Sequence, residues 1–132
     1  MLLTRASEYA LLSLDTIRKS DKPVGAEQLA NDLNIPKSFL AKIMQNLAKE
    51  GILESRKGAH GGFLLSKDLD QITLYHIIKA AEGKPPAILD CTQYSGSCPN
   101  GSIGSCSISP FLHTFQNKID NFLINLTLKD IF

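Results

Sequence analysis

Residues 35–66 read IPKSFLAKIMQNLAKEGILESRKGAHGGFLLS, and this stretch decides the fold of the chain. In its first half, apolar residues recur at helical spacing on one face and polar residues fill the other. The apolar face consists of Phe39, Leu40, Ile43, Met44 and Leu47, and the polar face of Ser38, Lys42, Gln45 and Lys49. Pro36 suits the first helical position, where an N–H would have no partner. The pattern predicts an amphipathic helix with a cationic, amide-bearing outer face.

The second half of the stretch has the composition of a β-hairpin. Residues 52–56 and 63–66 favour strands, and they flank the glycine-rich loop KGAHGG. Between Lys37 and His60, five basic residues stand against two acidic ones, a local excess of +3; the chain's net charge is +1, so the remainder sums to −2. Glycines also form tight turns without any ligand. Here the charge favours a wing that contacts phosphates in a salt-dependent way.

Residues 26–33 have the pattern of a short helix before this stretch, and Asn34 suits the turn after it. Two helices joined by a short turn are typical of a helix-turn-helix, whose second helix enters the major groove. An exposed face of lysine and glutamine is equally typical of a solvated helix. Helix and wing together predict a DNA-binding surface. It consists of Lys37, Ser38, Lys42, Gln45, Arg56, Lys57, Gly58 and His60.

Further helices are predicted on both sides of this unit. One spans residues 4–19, and another follows Thr73 as its N-cap. Ser109 and Pro110 read as the cap and first-turn proline of a long C-terminal helix. Its apolar stripe consists of Leu112, Phe115, Ile119, Phe122, Leu123 and Leu126. The stripe either packs on the chain's own core or pairs with a second copy, matching two-fold DNA half-sites.

Composition limits the class of protein. The 132 residues, 43% of them hydrophobic, fit one domain. The first residues lack the features of a secretory signal, and no apolar run approaches the roughly 18 residues that a membrane span needs. An odd number of cysteines favours a reducing compartment with metal-binding or redox thiols. We therefore expect a cytoplasmic protein with no membrane partner.

The three cysteines, Cys91, Cys98 and Cys106, fall within sixteen residues. Spacers of six and seven residues separate them and are rich in Gly, Ser, Asn and Pro, so the backbone can direct several sulfurs inward. The stretch has no apolar core of its own. A bound metal centre is the leading interpretation, and three unrelated thiols are the alternative.

Taken together, these motifs resemble those of the Rrf2 family of bacterial winged-helix regulators, over essentially the whole chain. The resemblance rests on Leu3-Thr4 and Tyr9-Ala10, on IPKSFL at 35–40, LAKEGIL at 47–53 and KGAHGGFLL at 57–65, on the cysteine stretch, and on LTLKDI at 126–131. It implies a mainly α fold with a small β-hairpin wing. It also implies a winged helix-turn-helix domain plus a long C-terminal dimerisation helix. The expected function is a homodimeric transcriptional regulator, a repressor or a dual regulator, that binds a two-fold symmetric operator in double-stranded DNA.

The resemblance further implies an iron-sulfur cluster bound by the three cysteines and a fourth, non-cysteine ligand. Glu8 from the partner subunit is the first candidate, because nitric-oxide and redox sensors of the family use a carboxylate at this place. His113 is the second, one helical turn beyond Ser109, which stands where the family's iron-sulfur biogenesis regulator has a histidine. The spacers are longer than in that regulator, so 2Fe–2S and 4Fe–4S clusters both remain open.

By the same resemblance the chain divides into three parts: the winged domain at 1–83, a cluster-binding loop at 84–109, and the dimerisation helix with its C-terminal turn at 110–132. The expected signal is redox, nitric oxide or iron-sulfur status. A regulator with a zinc-bound or metal-free thiol switch is the alternative. An enzyme with a nucleophilic cysteine is disfavoured, because the sequence sets up no Cys–His pair.

Overall fold

The computed structural model describes residues 3–88 and 106–132. The predictions for Cys91 and Cys98 lie outside these residues. The elements are α1 (Arg5–Arg18), α2 (Ala26–Leu33), α3 (Lys37–Lys49), β1 (Leu53–Arg56), β2 (Gly62–Leu65), a 3₁₀ turn (Leu69–Gln71), α4 (Leu74–Glu82), α5 (Ser109–Asn125) and α6 (Leu128–Ile131). The mainly α fold with a two-stranded wing is confirmed.

Helices α1 to α4 and the hairpin, residues 5–82, form a unit that we call the reading head. Helix α3 packs against α1, α2 and α4 around one aliphatic core. Fully buried side chains from each helix fill this core: Leu14, Leu29, Leu40, Met44, Leu47 and Ile77. The helix-turn-helix is formed as predicted, and Asn34 ends α2 in the left-handed conformation with φ +54°.

Two predictions about α3 are wrong in detail. Pro36 is not the first helical residue but the N-cap, with ψ at 127°, and its carbonyl accepts from the N–H of Leu40 at 3.0 Å. Phe39 does not belong to the buried face, since 44% of it is exposed. It lies at the margin of that face, where its ring meets the Tyr9 ring edge to face, at 5.7 Å between ring centroids.

The wing is an antiparallel hairpin in which Leu53 lies opposite Leu65 and Arg56 opposite Gly62. Its second strand also pairs with the residue before α2, because Phe63 donates to the carbonyl of Val24 at 2.8 Å and accepts from its N–H at 3.0 Å. A Cβ on Gly62 would approach the Val24 carbonyl carbon to 2.6 Å. This glycine therefore docks the wing on the head, a structural role that does not depend on DNA.

Helix α5 packs on α4 through a small cluster of Leu74, Ile78 and Leu123. It starts one residue earlier than predicted: Ile108 is the N-cap and its carbonyl accepts from the N–H of Leu112 at 3.0 Å, so Ser109 is already helical. The predicted apolar stripe is only partly correct. Leu112 and Leu123 are buried, Phe115 and Phe122 are exposed, and the polar Gln116 and Asp120 take buried positions.

The end of the chain returns to the reading head. Thr127 and Asp130 form a capping box at the start of α6, and Leu128 is fully buried in the main core. The backbone joins the 3₁₀ region through Leu128 N–H to the Ile72 carbonyl at 2.9 Å. Over the described ranges 3–88 and 106–132, no helix combines the length and apolar character that crossing a bilayer requires.

Candidate DNA interface and sensor site

The outer face of α3 is polar and open. Lys37, Ser38, Lys42 and Gln45 are all exposed. The opposite face of the same helix, which carries Leu40, Met44 and Leu47, is completely buried, and this fixes the orientation of the polar side chains. The structure thus brings the four predicted residues of α3 onto one accessible surface.

The tip of the wing carries the remaining candidates. Arg56, Lys57, Gly58 and His60 are exposed. Gly58 has φ +105°, a conformation that L side chains rarely adopt, so the turn at the tip depends on this glycine. The resulting cationic loop has the shape and charge to approach a phosphate backbone.

Two of the predicted DNA-binding cations are paired with carboxylates in the free protein. Lys37 Nζ lies 3.3 Å from Glu27 Oε2 on α2, and Arg56 Nε lies 3.1 Å from Glu54 Oε1 on the same strand. All four side chains are more than half exposed, so each pair is worth about 0–1 kcal/mol. Sequence reasoning missed both pairs. The alternation of a strand, which puts residues 54 and 56 on one face, would have indicated the second.

Glu8 lies on the exposed side of α1. Its Oε2 is 2.6 Å from Arg5 Nη1, and hydrogen bonding to this carboxylate raises the pKa of the Arg5 guanidinium. Half of the Glu8 side chain is exposed, at 49%. A mainly apolar surface cavity of about 540 Å³ lies beside it. The lining residues are Leu3, Thr4, Arg5, Glu8, Leu11 and Leu12.

Cys106 is the one cysteine in the described residues. It is half-buried, forms no disulfide, and lies directly before α5, where its carbonyl accepts from the Ser109 N–H at 3.2 Å. His113 is exposed on α5. Within residues 3–88 and 106–132, no three histidine, cysteine, aspartate or glutamate side chains converge on a potential metal position.

The chemistry of the predicted donor set nevertheless fits a metal centre. Thiolates are soft ligands that bind iron-sulfur clusters and zinc, and a carboxylate or imidazole can complete either set. Cys106 meets this requirement as a free thiol with access to solvent. The structure leaves Glu8 and His113 accessible on two different helices and does not decide between them.

The sequence did not predict two sets of polar contacts, one at the start of α1 and one just before the cysteine stretch. Glu82, at the end of α4, accepts hydrogen bonds from the hydroxyls of Thr4 and Ser7. Gln116, in the middle of α5, binds the chain just before the cysteine stretch. Polar residues four apart on an otherwise apolar stripe, 116 and 120, were the available sequence signal for the second contact.

Comparison with known proteins gives a consistent answer. The profile of Rrf2, described as an iron-dependent transcriptional regulator, matches residues 3–132. A protein of Aquifex aeolicus with a provisional assignment as an HTH-type transcriptional regulator is 31% identical over 132 residues, 99% of this chain and 91% of its own length. The HTH-type transcriptional regulator IscR of Cronobacter sakazakii is 30% identical, over 99% of this chain and 80% of its own length.

Among solved structures, CymR, the global cysteine regulator of Bacillus subtilis, superposes with a TM-score of 0.70. It is 21% identical, and the match covers 99% of this chain and 95% of CymR, which supports the shared fold. These relatives are transcriptional regulators and not enzymes, and the winged head with its cationic outer surface has the architecture of a DNA-binding domain. The chain therefore belongs to the Rrf2 family of transcriptional regulators.

Proposed function

We propose that this chain is a homodimeric repressor that binds a two-fold symmetric operator through α3 and the wing. In this proposal it senses redox, nitric oxide or iron-sulfur status through a cluster held by Cys91, Cys98 and Cys106. Glu8 of the partner subunit would be the fourth ligand. The observation that carries the proposal is the position of Leu11, which lines the cavity beside Glu8 and also packs on the apolar cluster of Leu74, Ile78 and Leu123 that joins α4 to α5.

An aromatic face on α5 supports the dimer. Phe111, Phe115 and Phe122 follow one another at intervals of four and seven residues, which places them on one side of a helix. Their exposed fractions are 62%, 42% and 62%, and the first two rings stack at 5.7 Å. Buried aromatic rings stabilise interfaces strongly. A second copy of the same helix would cover this face isologously.

The position of Glu8 supports a ligand supplied across that dimer. Leu3 and Leu12 flank its cavity and are exposed by 48% and 42%, so the surface around this carboxylate is apolar and uncovered in the single chain. Leu11 connects this surface to the cluster under α5. In our proposal the partner that covers the α5 aromatic face also covers this apolar surface, which would bring its cysteine stretch to Glu8.

The cysteine ligands join the sensor to the dimer helix. Cys106 lies three residues before Ser109, the first residue of α5, so a change in its ligation would act at the start of that helix. When bound, an iron-sulfur cluster supplies reactivity towards oxygen and nitric oxide and a dependence on iron supply. A carboxylate ligand binds iron more weakly than a thiolate, which suits a site that must release or remodel its metal.

Anaerobic purification tests the metal assignment. We expect coloured protein with visible absorption bands and with iron and sulfide in stoichiometric amounts. Colourless protein that contains zinc would overturn the cluster and support the zinc-bound thiol site. Colourless protein without metal would support the metal-free switch. The ratio of iron to protein would also distinguish a 2Fe–2S from a 4Fe–4S cluster.

Two single substitutions test the fourth ligand. Glu8→Ala should accelerate cluster loss and change the visible spectrum while the dimer persists in sedimentation analysis. His113→Ala is the matched variant and should leave both properties unchanged. If His113→Ala destabilises the cluster and Glu8→Ala does not, the ligand assignment is reversed.

A further inference from the structure

Gln116 is a buried polar residue with hydrogen bonds at both the oxygen and the nitrogen of its carboxamide. It lies in the middle of α5 and is only 1% exposed. Its Oε1 accepts from the N–H of Ile88 at 2.9 Å, and its Nε2 donates to the carbonyl of Pro86 at 3.0 Å and to Asp120 Oδ1 at 2.8 Å. A buried carboxamide is tolerated only when it is bonded in this way. The residue is therefore a specific connection between α5 and the backbone at 86–88.

The geometry of this connection fixes the register of the bound chain. Gln116 contacts the carbonyl of Pro86 and the N–H of Ile88, the two groups that a neighbouring parallel strand would contact around Ala87. A shift of the chain by one residue would break both bonds. Pro85 and Pro86 have no N–H of their own, so this part of the chain offers few other donors.

The backbone partners fix the orientation of the carboxamide. A backbone N–H only donates and a carbonyl only accepts, so the oxygen of Gln116 faces Ile88 and its NH₂ group faces Pro86. The second N–H of this group then points to Asp120. Asp120 is itself buried, with 9% exposure, one helical turn beyond Gln116. Gln116 and Asp120 thus form a hydrogen-bonded polar pair on a helix face that is otherwise apolar.

The same segment is held at its other end by the reading head. Glu82 Oε1 accepts from the hydroxyl of the fully buried Ser7 at 2.9 Å and also from the hydroxyl of Thr4. Residues 83–87 thus run between an anchor on α1 and an anchor on α5. The chain has little freedom over this distance, because both ends are bonded to separate helices.

We infer that Gln116 is a positioning residue that holds the chain entering the cysteine stretch against α5. What this anchoring does for the cysteines rests on the proposed metal site. Cys91 follows Ile88 by three residues, which span at most about 10 Å even when fully extended. Fixing Ile88 on α5 therefore restricts the positions that the Cys91 thiol can reach relative to the helix that follows Cys106.

Gln116→Met tests this role, because methionine has a similar length and removes all three hydrogen bonds. We expect the Ile88 amide of the metal-free protein to exchange its hydrogen roughly tenfold faster, as for the loss of one hydrogen bond. The metal-loaded protein should transfer iron, or zinc, to an excess of chelator several times faster than the wild type. Leu112→Met, on the same buried face, is the control and should change neither rate.

The two measurements separate the possible outcomes. Unchanged exchange at Ile88 would overturn the anchoring role. Faster exchange at Ile88, together with metal release at the wild-type rate, would show that the anchor does not position the cysteines. If the wild type binds no metal, the proposed sensor fails, while the exchange rate still tests the anchor. Should Gln116→Met not fold, Gln116→Ala removes the same three hydrogen bonds with a smaller side chain, so the same increase is expected.

Discussion

The reading head and α5 are stabilised in different ways. The head has a continuous aliphatic core in which Leu14, Leu29 and Leu47 are completely inaccessible. Helix α5 rests on a cluster of only three buried side chains, two of them from α4. Half of its own buried positions are polar, namely Gln116 and Asp120. The head therefore has a large core, which Leu128 of α6 completes, whereas α5 is attached by a small apolar contact and a few directional hydrogen bonds.

The exposed surfaces differ in the same sense. The outer face of α3 and the tip of the wing present lysine, arginine and glutamine side chains, which water can solvate. Helix α5 presents three phenylalanines on one side, and a contiguous apolar patch of this kind is typical of an interaction site. The comparison indicates that α5, unlike the polar faces of α3 and the wing, offers a surface for a partner, and in our proposal that partner is a second subunit.

The largest effect is expected from deleting core volume in the head. Leu47→Ala should lower the free energy of unfolding by about 2–5 kcal/mol, because the side chain is fully buried in a packed core. The same deletion in α5, Leu123→Ala, should loosen α5 and leave the head folded. Denaturant unfolding followed at several protein concentrations would measure both. An equal loss in the two variants would mean that head and α5 unfold as one unit, and the comparison would fail.

The next effect concerns the aromatic face. Phe122→Glu should shift the protein from dimer to monomer, since a buried aromatic anchor contributes about 2 kcal/mol or more to an interface. Asn117→Glu is the matched control: it adds the same charge to an exposed position on a different side of α5. Sedimentation velocity would report the oligomeric state. A dimer that survives Phe122→Glu would show that this face is not the interface.

Much of the head could be predicted because its signals are local. Helix α2 has the bounds expected from the sequence, Ala26–Leu33, since apolar spacing and the turn residue Asn34 are both contained within the segment. Thr73 caps α4 as expected, and its hydroxyl accepts from the His76 N–H. The cationic surface of α3 followed from the same periodicity. Each of these features depends on neighbours only a few residues away.

The structure of α5 could not be predicted in the same way. Periodicity identified a broad stripe, but it could not tell which side of the stripe packs on α4 and which stays open at Phe115 and Phe122. Gln116 is buried because its partners lie at 86–88, almost thirty residues earlier, and no local pattern encodes them. The pairing of Lys37 with Glu27 likewise joins two separate helices.

A smaller effect is expected at the DNA interface of the head. Lys42→Ala and Gln45→Ala should weaken binding by about 1–3 kcal/mol at the cognate operator and much less on unrelated DNA. Lys57→Ala should weaken binding to every sequence and reduce the salt slope by about 1. Titrations at several salt concentrations would measure this, with Lys129→Ala, an exposed lysine outside the predicted surface, as the control. Unchanged operator affinity in all three variants would exclude this docking.

The smallest effect should come from Glu54, whose carboxylate lies 3.1 Å from Arg56 and competes with phosphate for it. Because an exposed ion pair is worth about 0.2–1 kcal/mol, Glu54→Gln should raise DNA affinity by roughly 1.4- to 5-fold per subunit. Removing any negative charge near DNA also increases affinity, so the gain must be measured again with Arg56→Ala. If the gain persists without Arg56, the carboxylate acts only through its charge. If the gain disappears, the ion pair between Glu54 and Arg56 is what lowers the DNA affinity of the wing. This effect lies within the head and does not depend on α5.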